Sequence, residues 1–227
     1  MGELTIFLVV AVSAALTWRL RSTERKRDPV LRRRHAFSRA RRVAIADAPD
    51  GEVVKVSGQC ALGNQAGLST PLTARRCVAW EVSVWGPLAD RRGEIARLSS
   101  GVDFEVVDDS GAARVHGSNA WLFCANVTRF VDGEWGEHKA RIAALFDTHG
   151  LWRDRHAADF DIFERVILDG APVTVVGLAR WEIVPPDAAF LGGYRDTPRR
   201  LSIVPLTDGV VVVNDEPTGS FKRPRRA

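Results

Sequence analysis

From residue 52 onward the chain is a succession of short β-branched runs separated by turn residues. That patterning constrains the fold more than any other feature. Residues 52–60 alternate apolar and polar positions, as a half-buried strand does. Residues 77–85 form a second such run. Residues 104–108 and 112–115 read as a hairpin across Asp108-Asp109-Ser110-Gly111, with Gly111 supplying a left-handed position. Further strands are expected over 120–124, 172–184, 201–204 and 210–213. One helix interrupts them at 137–149, where Ala140, Ile142, Ala143, Leu145 and Phe146 fall near helical spacing and Gly150 stops it. The expected fold is mainly β: a small antiparallel barrel or sandwich, OB-like in one version, with one inserted α-helix.

The N-terminal part obeys different rules. Residues 4–18 are an unbroken uncharged apolar run. As a helix, 15 residues rise about 22 Å against a hydrocarbon core of roughly 30 Å. Met1, Gly2 and Leu20 can lengthen it, Trp18 suits the interface, and Arg19 and Arg21 can snorkel to the headgroups. A cleaved signal peptide needs a basic start, and here the start carries Glu3 while the basic residues follow the run. A transmembrane helix is therefore the expectation.

Between Arg19 and Arg42 there are eleven Lys or Arg against Glu24 and Asp28, a net of +9. Arg19, Arg21, Arg25, Lys26, Arg27, Arg32, Arg33 and Arg34 are the candidate membrane-surface residues. Basic residues beside a span stay on the cytoplasmic side. The N-terminus is then expected outside and the rest in the cytoplasm, at a cell inner membrane. Anionic lipid headgroups are the expected partner of the arm. A helix is expected over 30–46, before Pro49-Asp50-Gly51. The resulting organisation is an anchor over 1–20, a basic arm over 21–50, a β domain over 51–215 and a disordered basic tail over 216–227.

The whole-chain charge of +4 conceals a separation. From Val43 to Phe221 there are 17 basic and 25 acidic residues, a net of −8. An acidic body argues against nucleic acid as a partner. Arginine outnumbers lysine 28 to 4, as in proteins of GC-rich bacterial genomes. The cysteines Cys60, Cys77 and Cys124 are odd in number and lack C-x-x-C spacing, which argues against a disulfide scaffold or a zinc site.

Four segments in order resemble the GIDE-type, or "beside a membrane", domain family: Gly51-Glu-Val-Val-Lys-Val-Ser-Gly58, Leu68-Ser-Thr-Pro-Leu-Thr-Ala-Arg-Arg-Cys-Val-Ala-Trp80, Phe104-Glu-Val-Val-Asp-Asp-Ser-Gly-Ala-Ala-Arg-Val115, and Glu164-Arg-Val-Ile-Leu-Asp-Gly-Ala-Pro-Val-Thr-Val-Val-Gly177. The motif positions are Pro71, Cys77, Asp108, Gly111, Glu164 and Gly170. The resemblance implies a β-rich domain held next to a bilayer. In eukaryotic members this domain lies between two spans and precedes a ubiquitin-transferring RING finger. Here the sequence shows neither a second run long enough to span nor the roughly eight Cys/His ligands a RING requires.

Read from the residues alone, Pro71 pre-sets a turn before the Cys77 strand. Cys77 packs as a small apolar side chain or serves as a reactive thiol. Asp108 to Gly111 cap a hairpin. Glu164 stands in an apolar stretch, and three readings are open: an ion pair with Arg75 or Arg76, exposure to water, or a binding role. His138, His149 and His156 are expected at the surface. Trp80, Trp121 and Trp181 are expected in the core, and Trp135 and Trp152 are either surface-contact candidates or partly buried under a loop.

No nucleophile elbow, H-E-x-x-H or phosphate-binding glycine loop occurs. No cofactor and no catalytic residue is expected. The functional expectation is a membrane-anchored binding or scaffolding module for an unknown protein partner. The alternative is an enzyme related to the GIDE-type ubiquitin ligases, or another membrane-associated enzyme.

Overall fold

In a computed structural model, residues 29–63, 65–88, 91–124, 127–131, 135–151, 159–183, 199–206, 209 and 211–215 are described. The expected anchor, residues 21–28 of the arm and the tail lie outside them. Among the described residues no helix is long and apolar enough to cross a membrane. The chain divides into two units, residues 1–39 and 40–227.

In the first unit, α1 spans Pro29–Arg39. Pro29 opens it, where its fixed φ suits a helix and its missing N–H costs nothing. Arg32, Arg33 and Arg34 lie on this helix. The helix expected over 30–46 is therefore shorter than its sequence suggested. In the second unit, β1 (Arg41–Arg42) pairs parallel with β2 (Val53–Ala61). Ile45 follows in a short 3₁₀ turn and is buried in the core. Tertiary pairing and burial override helix propensity in this stretch.

A closed ring of five strands forms the first part of this unit. Strand β2 pairs with β6 (Phe104–Asp108), which pairs with β7 (Gly111–Val115). Strand β7 runs parallel to β12 (Arg199–Val204), β12 is antiparallel to β11 (Pro172–Ile183), and β11 returns antiparallel to β2. Alternate residues fill the ring: Val54, Val56, Phe104, Val106, Ala113, Val115, Val173, Val175, Leu201 and Ile203 are buried in one cluster. Two short strands extend it. Strand β8 (Ala120–Phe123) runs parallel to β13 (Val211–Asn214), and β13 continues along β11. The segment before β2 is tied down by Trp181, whose indole N–H donates to the Ala48 carbonyl at 2.8 Å.

A second sheet of five strands makes the other part. Strand β4 (Arg76–Leu88) lies between β5 (Arg91–Gly101) and β10 (Asp161–Leu168). Strand β3 (Leu68–Ser69) pairs with the start of β4, and β9 (Val127–Phe130) pairs with β10. Helix α2 (Lys139–Thr148) follows a 3₁₀ turn and contributes Ile142, Leu145 and Phe146 to a second core with Leu72, Val82, Val84, Phe130, Phe160 and Ile162. Trp135 belongs to this core and is only 3% exposed, which overturns the surface-contact reading and goes beyond partial burial under a loop. Its ring meets Phe146 edge-on at 5.8 Å. Trp152 and His156 lie outside the described residues.

The two parts meet where backbones touch. A Cβ on Gly101 would stand 2.1 Å from the Gly117 carbonyl oxygen, and one on Gly117 would stand 2.1 Å from that of Val102. Only glycine allows that approach. Gly117→Ala is expected to lower stability by about 3 kcal/mol, because Val102 is held by its N–H bond to the Val78 carbonyl and the Gly117 N–H by Asp103. Gly63→Ala, with open space but a φ of 58°, should cost about 1 kcal/mol. Urea unfolding of both variants tests this, and equal losses would remove the close approach as a constraint.

Candidate functional site

The motif residues Pro71, Cys77 and Glu164 meet at one turn. Glu164 sits on β10 with its side chain in the interior, only 1% exposed. Its carboxylate accepts the Leu72 N–H at 2.9 Å and the Thr73 hydroxyl. The Thr73 hydroxyl lies 2.8 Å from that of Thr70, which accepts the Arg75 N–H at 3.0 Å. Thr70 N–H donates to the Arg75 carbonyl, and Ala74 N–H to that of Thr70. Ala74 needs this support. Its φ is 54°, a left-handed angle that costs an L-residue roughly 1–2 kcal/mol. The expected ion pair of Glu164 with Arg75 or Arg76 does not form, and Glu164 binds the turn itself.

The other side of the turn is held by α2. The Leu72 carbonyl accepts from Arg141 at 3.1 Å and faces His138 Nδ1 at 3.1 Å. His138 is thus half-buried against the turn, which corrects its expected surface role, whereas His149 is exposed. The Leu72 side chain is fully buried in the second core. Cys77 is also buried, and burial, with Glu164 nearby adding to it, pushes its thiol up to about 11. A thiol so raised stays protonated at neutral pH and is a poor nucleophile.

Asp108 and Gly170 hold two other turns. Asp108 accepts from the Ser110 N–H at 2.7 Å, the Ser110 hydroxyl at 2.6 Å and the Gly111 N–H at 3.0 Å. Its second oxygen accepts the Ile45 N–H at 3.0 Å, joining the hairpin to the segment ahead of β2. Slight burial opposes ionisation here, but the Ser110, Ile45 and Gly111 donors outweigh it and hold Asp108 below the usual carboxylate range. Gly111 has a φ of 158°, outside the left-handed helical region expected of it. Gly170, at φ 76°, turns the chain between β10 and β11, and its N–H donates to the Cys60 carbonyl at 2.8 Å. The neighbouring Asp169 accepts the Leu62 N–H at 2.9 Å.

The opposite face of the second sheet carries a charge cluster around the buried Glu81 that the sequence did not reveal. Glu81 on β4 stands directly across from Arg165 on β10, and they are 3.0 Å apart. Arg165 also donates to the Ser83 hydroxyl at 3.1 Å. Arg97 approaches Glu81 at 3.5 Å and pairs with Glu94 at 2.7 Å. Burial raises the Glu81 carboxyl, and Arg97 and Arg165 pull it back only in part. Cross-strand register creates this cluster, because Glu81 and Arg165 are 84 residues apart in the chain.

Among the described residues no group of three or more His, Cys, Asp or Glu could hold a metal ion. Arg19, Arg21, Arg25, Lys26 and Arg27 lie outside the described residues. No family model, no curated protein and no solved structure matches the chain.

Two predictions follow from these environments. Glu164→Ala leaves the buried Leu72 N–H unpaired and should cost about 3 kcal/mol, whereas Thr73→Ala should cost about 1 kcal/mol. Urea unfolding checks the order, and a cost of Glu164→Ala below that of Thr73→Ala would show that the turn stands without the carboxylate. The thiols set an alkaline limit. Cys77 is raised to about 11 and Cys60 to about 12, against 9.0 when exposed. The folded chain keeps protons that the unfolded chain releases, so stability is full below pH 9.0 and falls as pH rises toward about 11. In unfolding curves taken across that range, Cys77→Ala should flatten the decline.

Proposed function

We propose that this chain is a membrane-tethered binding module, with an OB-like barrel that engages a partner at the cytoplasmic surface of the bilayer. The fold reading is supported by strand order. Numbering the ring strands β2, β6, β7, β11 and β12 as one to five, the order is 1-2-3-5-4-1 with strands three and five parallel. Oligonucleotide- and oligosaccharide-binding Greek-key barrels are five-stranded rings of this kind. The membrane reading is supported by the 15-residue apolar run and the +9 arm that follows it. The GIDE-type resemblance agrees with both.

One observation carries the choice of binding over catalysis. The motif residues with chemical potential are engaged in holding the fold. Glu164 holds the 70–75 turn, Asp108 caps a hairpin, and Cys77 is a buried protonated thiol. The motifs then specify a scaffold, and the partner is read by the outer surface. The buried Glu81 is likewise engaged, its oxygens facing Arg165 and Arg97.

Protease treatment of spheroplasts and of inside-out vesicles tests the tether and its direction. The β domain should be digested only in the inside-out vesicles. Digestion in intact spheroplasts, or release of the chain by carbonate washing, would overturn the reading.

A further inference from the structure

We propose that the outer face of the barrel carries a phosphate-binding site built from Arg180, Arg200 and Ser202, with Arg114 at its rim. The site arises from register. Ser202 on β12 stands directly opposite Arg180 on β11 and Arg114 on β7. Direct partners project to the same side of a sheet with Cβ atoms about 5 Å apart. Leu201 and Ile203, on either side of Ser202, are buried in the barrel core, so Ser202 and Arg200 belong to the outer face.

Two polar atoms on that face are unsatisfied. Ser202 is fully buried and its Oγ has no hydrogen-bond partner, and the same holds for the buried Nε of Arg200. An unpaired buried polar group costs roughly 1–3 kcal/mol. Two of them, two residues apart on one face, mark a place where a bound acceptor would be strongly favoured. Arg180 is exposed beside them.

The acidic neighbours do not occupy this position. Glu182 is in register with Arg200 and Glu105 with Arg114, yet neither forms an ion pair among the described residues. Asp103 binds Arg114 at 2.7 Å, which fixes that guanidinium at the edge. The centre therefore holds donors: two guanidinium groups without a carboxylate partner and one hydroxyl. Guanidinium groups match phosphate oxygens in pairs, and a hydroxyl adds a third donor. A phospholipid headgroup and a soluble phosphate ester present the same chemistry.

The inference stands on the barrel alone, so a chain facing the other side of the bilayer would leave it intact. The test uses the full chain in neutral detergent, following the Arg200 Nε–H signal by nitrogen-15 NMR during titration with inorganic phosphate. A saturable shift is expected, weakened at least about tenfold by Arg180→Gln and by Ser202→Ala. Arg180 is exposed, so its variant should unfold at the wild-type urea concentration. A second arm uses nanodiscs of phosphatidylcholine with and without phosphatidylglycerol. A shift in the phosphatidylglycerol discs without added phosphate identifies the headgroup as ligand. A shift only with added phosphate identifies a soluble phosphate. No shift in either arm, or wild-type binding by Arg180→Gln, would overturn the site.

Discussion

Closure of the ring by β2 and β11 is the constraint on which the barrel depends. Pairing runs from Gln59 with Pro172 to Val53 with Leu178. Without it, β2 and β11 would be free edges and the Val-rich interior would open to water. Strand β11 can do this because it is long. Its first half pairs with β2 on one side and β13 on the other, and its second half pairs with β12. Across the seam the Ser57 and Thr174 hydroxyls lie 2.9 Å apart, so Thr174 is buried without leaving a polar group unpaired. Two glycines let the strands converge. A Cβ on Gly58 would stand 2.2 Å from the Val107 carbonyl oxygen, and one on Gly177 would stand 2.5 Å from an Ile203 methyl. Small barrels turn their corners at such positions.

The centre of the second sheet meets a different demand, because β4 and β10 pack on both faces. One face of β4 and β10 packs with α2 and the other continues the barrel core through Ala79 and Ile167. A charged residue in such a sheet has no route to water and must find partners inside. Glu164 and Glu81 do so in opposite ways. Glu164 takes backbone and hydroxyl donors from a turn, which fixes that turn against the sheet. Glu81 takes guanidinium donors from the neighbouring strands, which ties β4 to both of them. Each of these carboxylates joins segments far apart in the chain.

Side-chain pattern decided what was legible in the sequence. The β-branched runs announced β2, β6, β7, β11 and β12, which lie within a few residues of their expected positions. The 137–149 helix was equally plain from its apolar spacing, and the structure divides it into a 3₁₀ turn and α2. Strand β10 was hidden, since its polar and apolar residues come in runs and Glu164 occupies an interior position. Strand β5 was hidden for another reason. Its sequence is largely polar, it has no fully buried residue, and β4 recruits it by pairing. Glu164 stood out as a carboxylate in an apolar run, but its partner at position 72 is 92 residues away. No local pattern encodes that meeting. Trp135 and His138 misled because their polar sequence neighbours concealed a core that assembles from distant strands.

Charge taught a related lesson. Counting along the chain separates a positive N-terminal arm from an acidic body of net −8, and that total argues against a polyanion wrapping the domain. A total, however, says nothing about a few square nanometres of one sheet face. Arg114, Arg180 and Arg200 are dispersed in sequence, and Arg114 and Arg180 each stand between neutral residues. Strand order brings them together: the parallel pairing of β7 with β12 sets Arg114 beside Ser202, and the antiparallel pairing of β12 with β11 sets Arg180 on its other side. Local potential follows the nearest charges and their burial rather than the sum over the molecule. An acidic domain can therefore present a donor-rich patch small enough for one phosphate group while repelling a long anionic polymer. That combination distinguishes a selective anion contact from the diffuse attraction that a basic arm exerts on a bilayer.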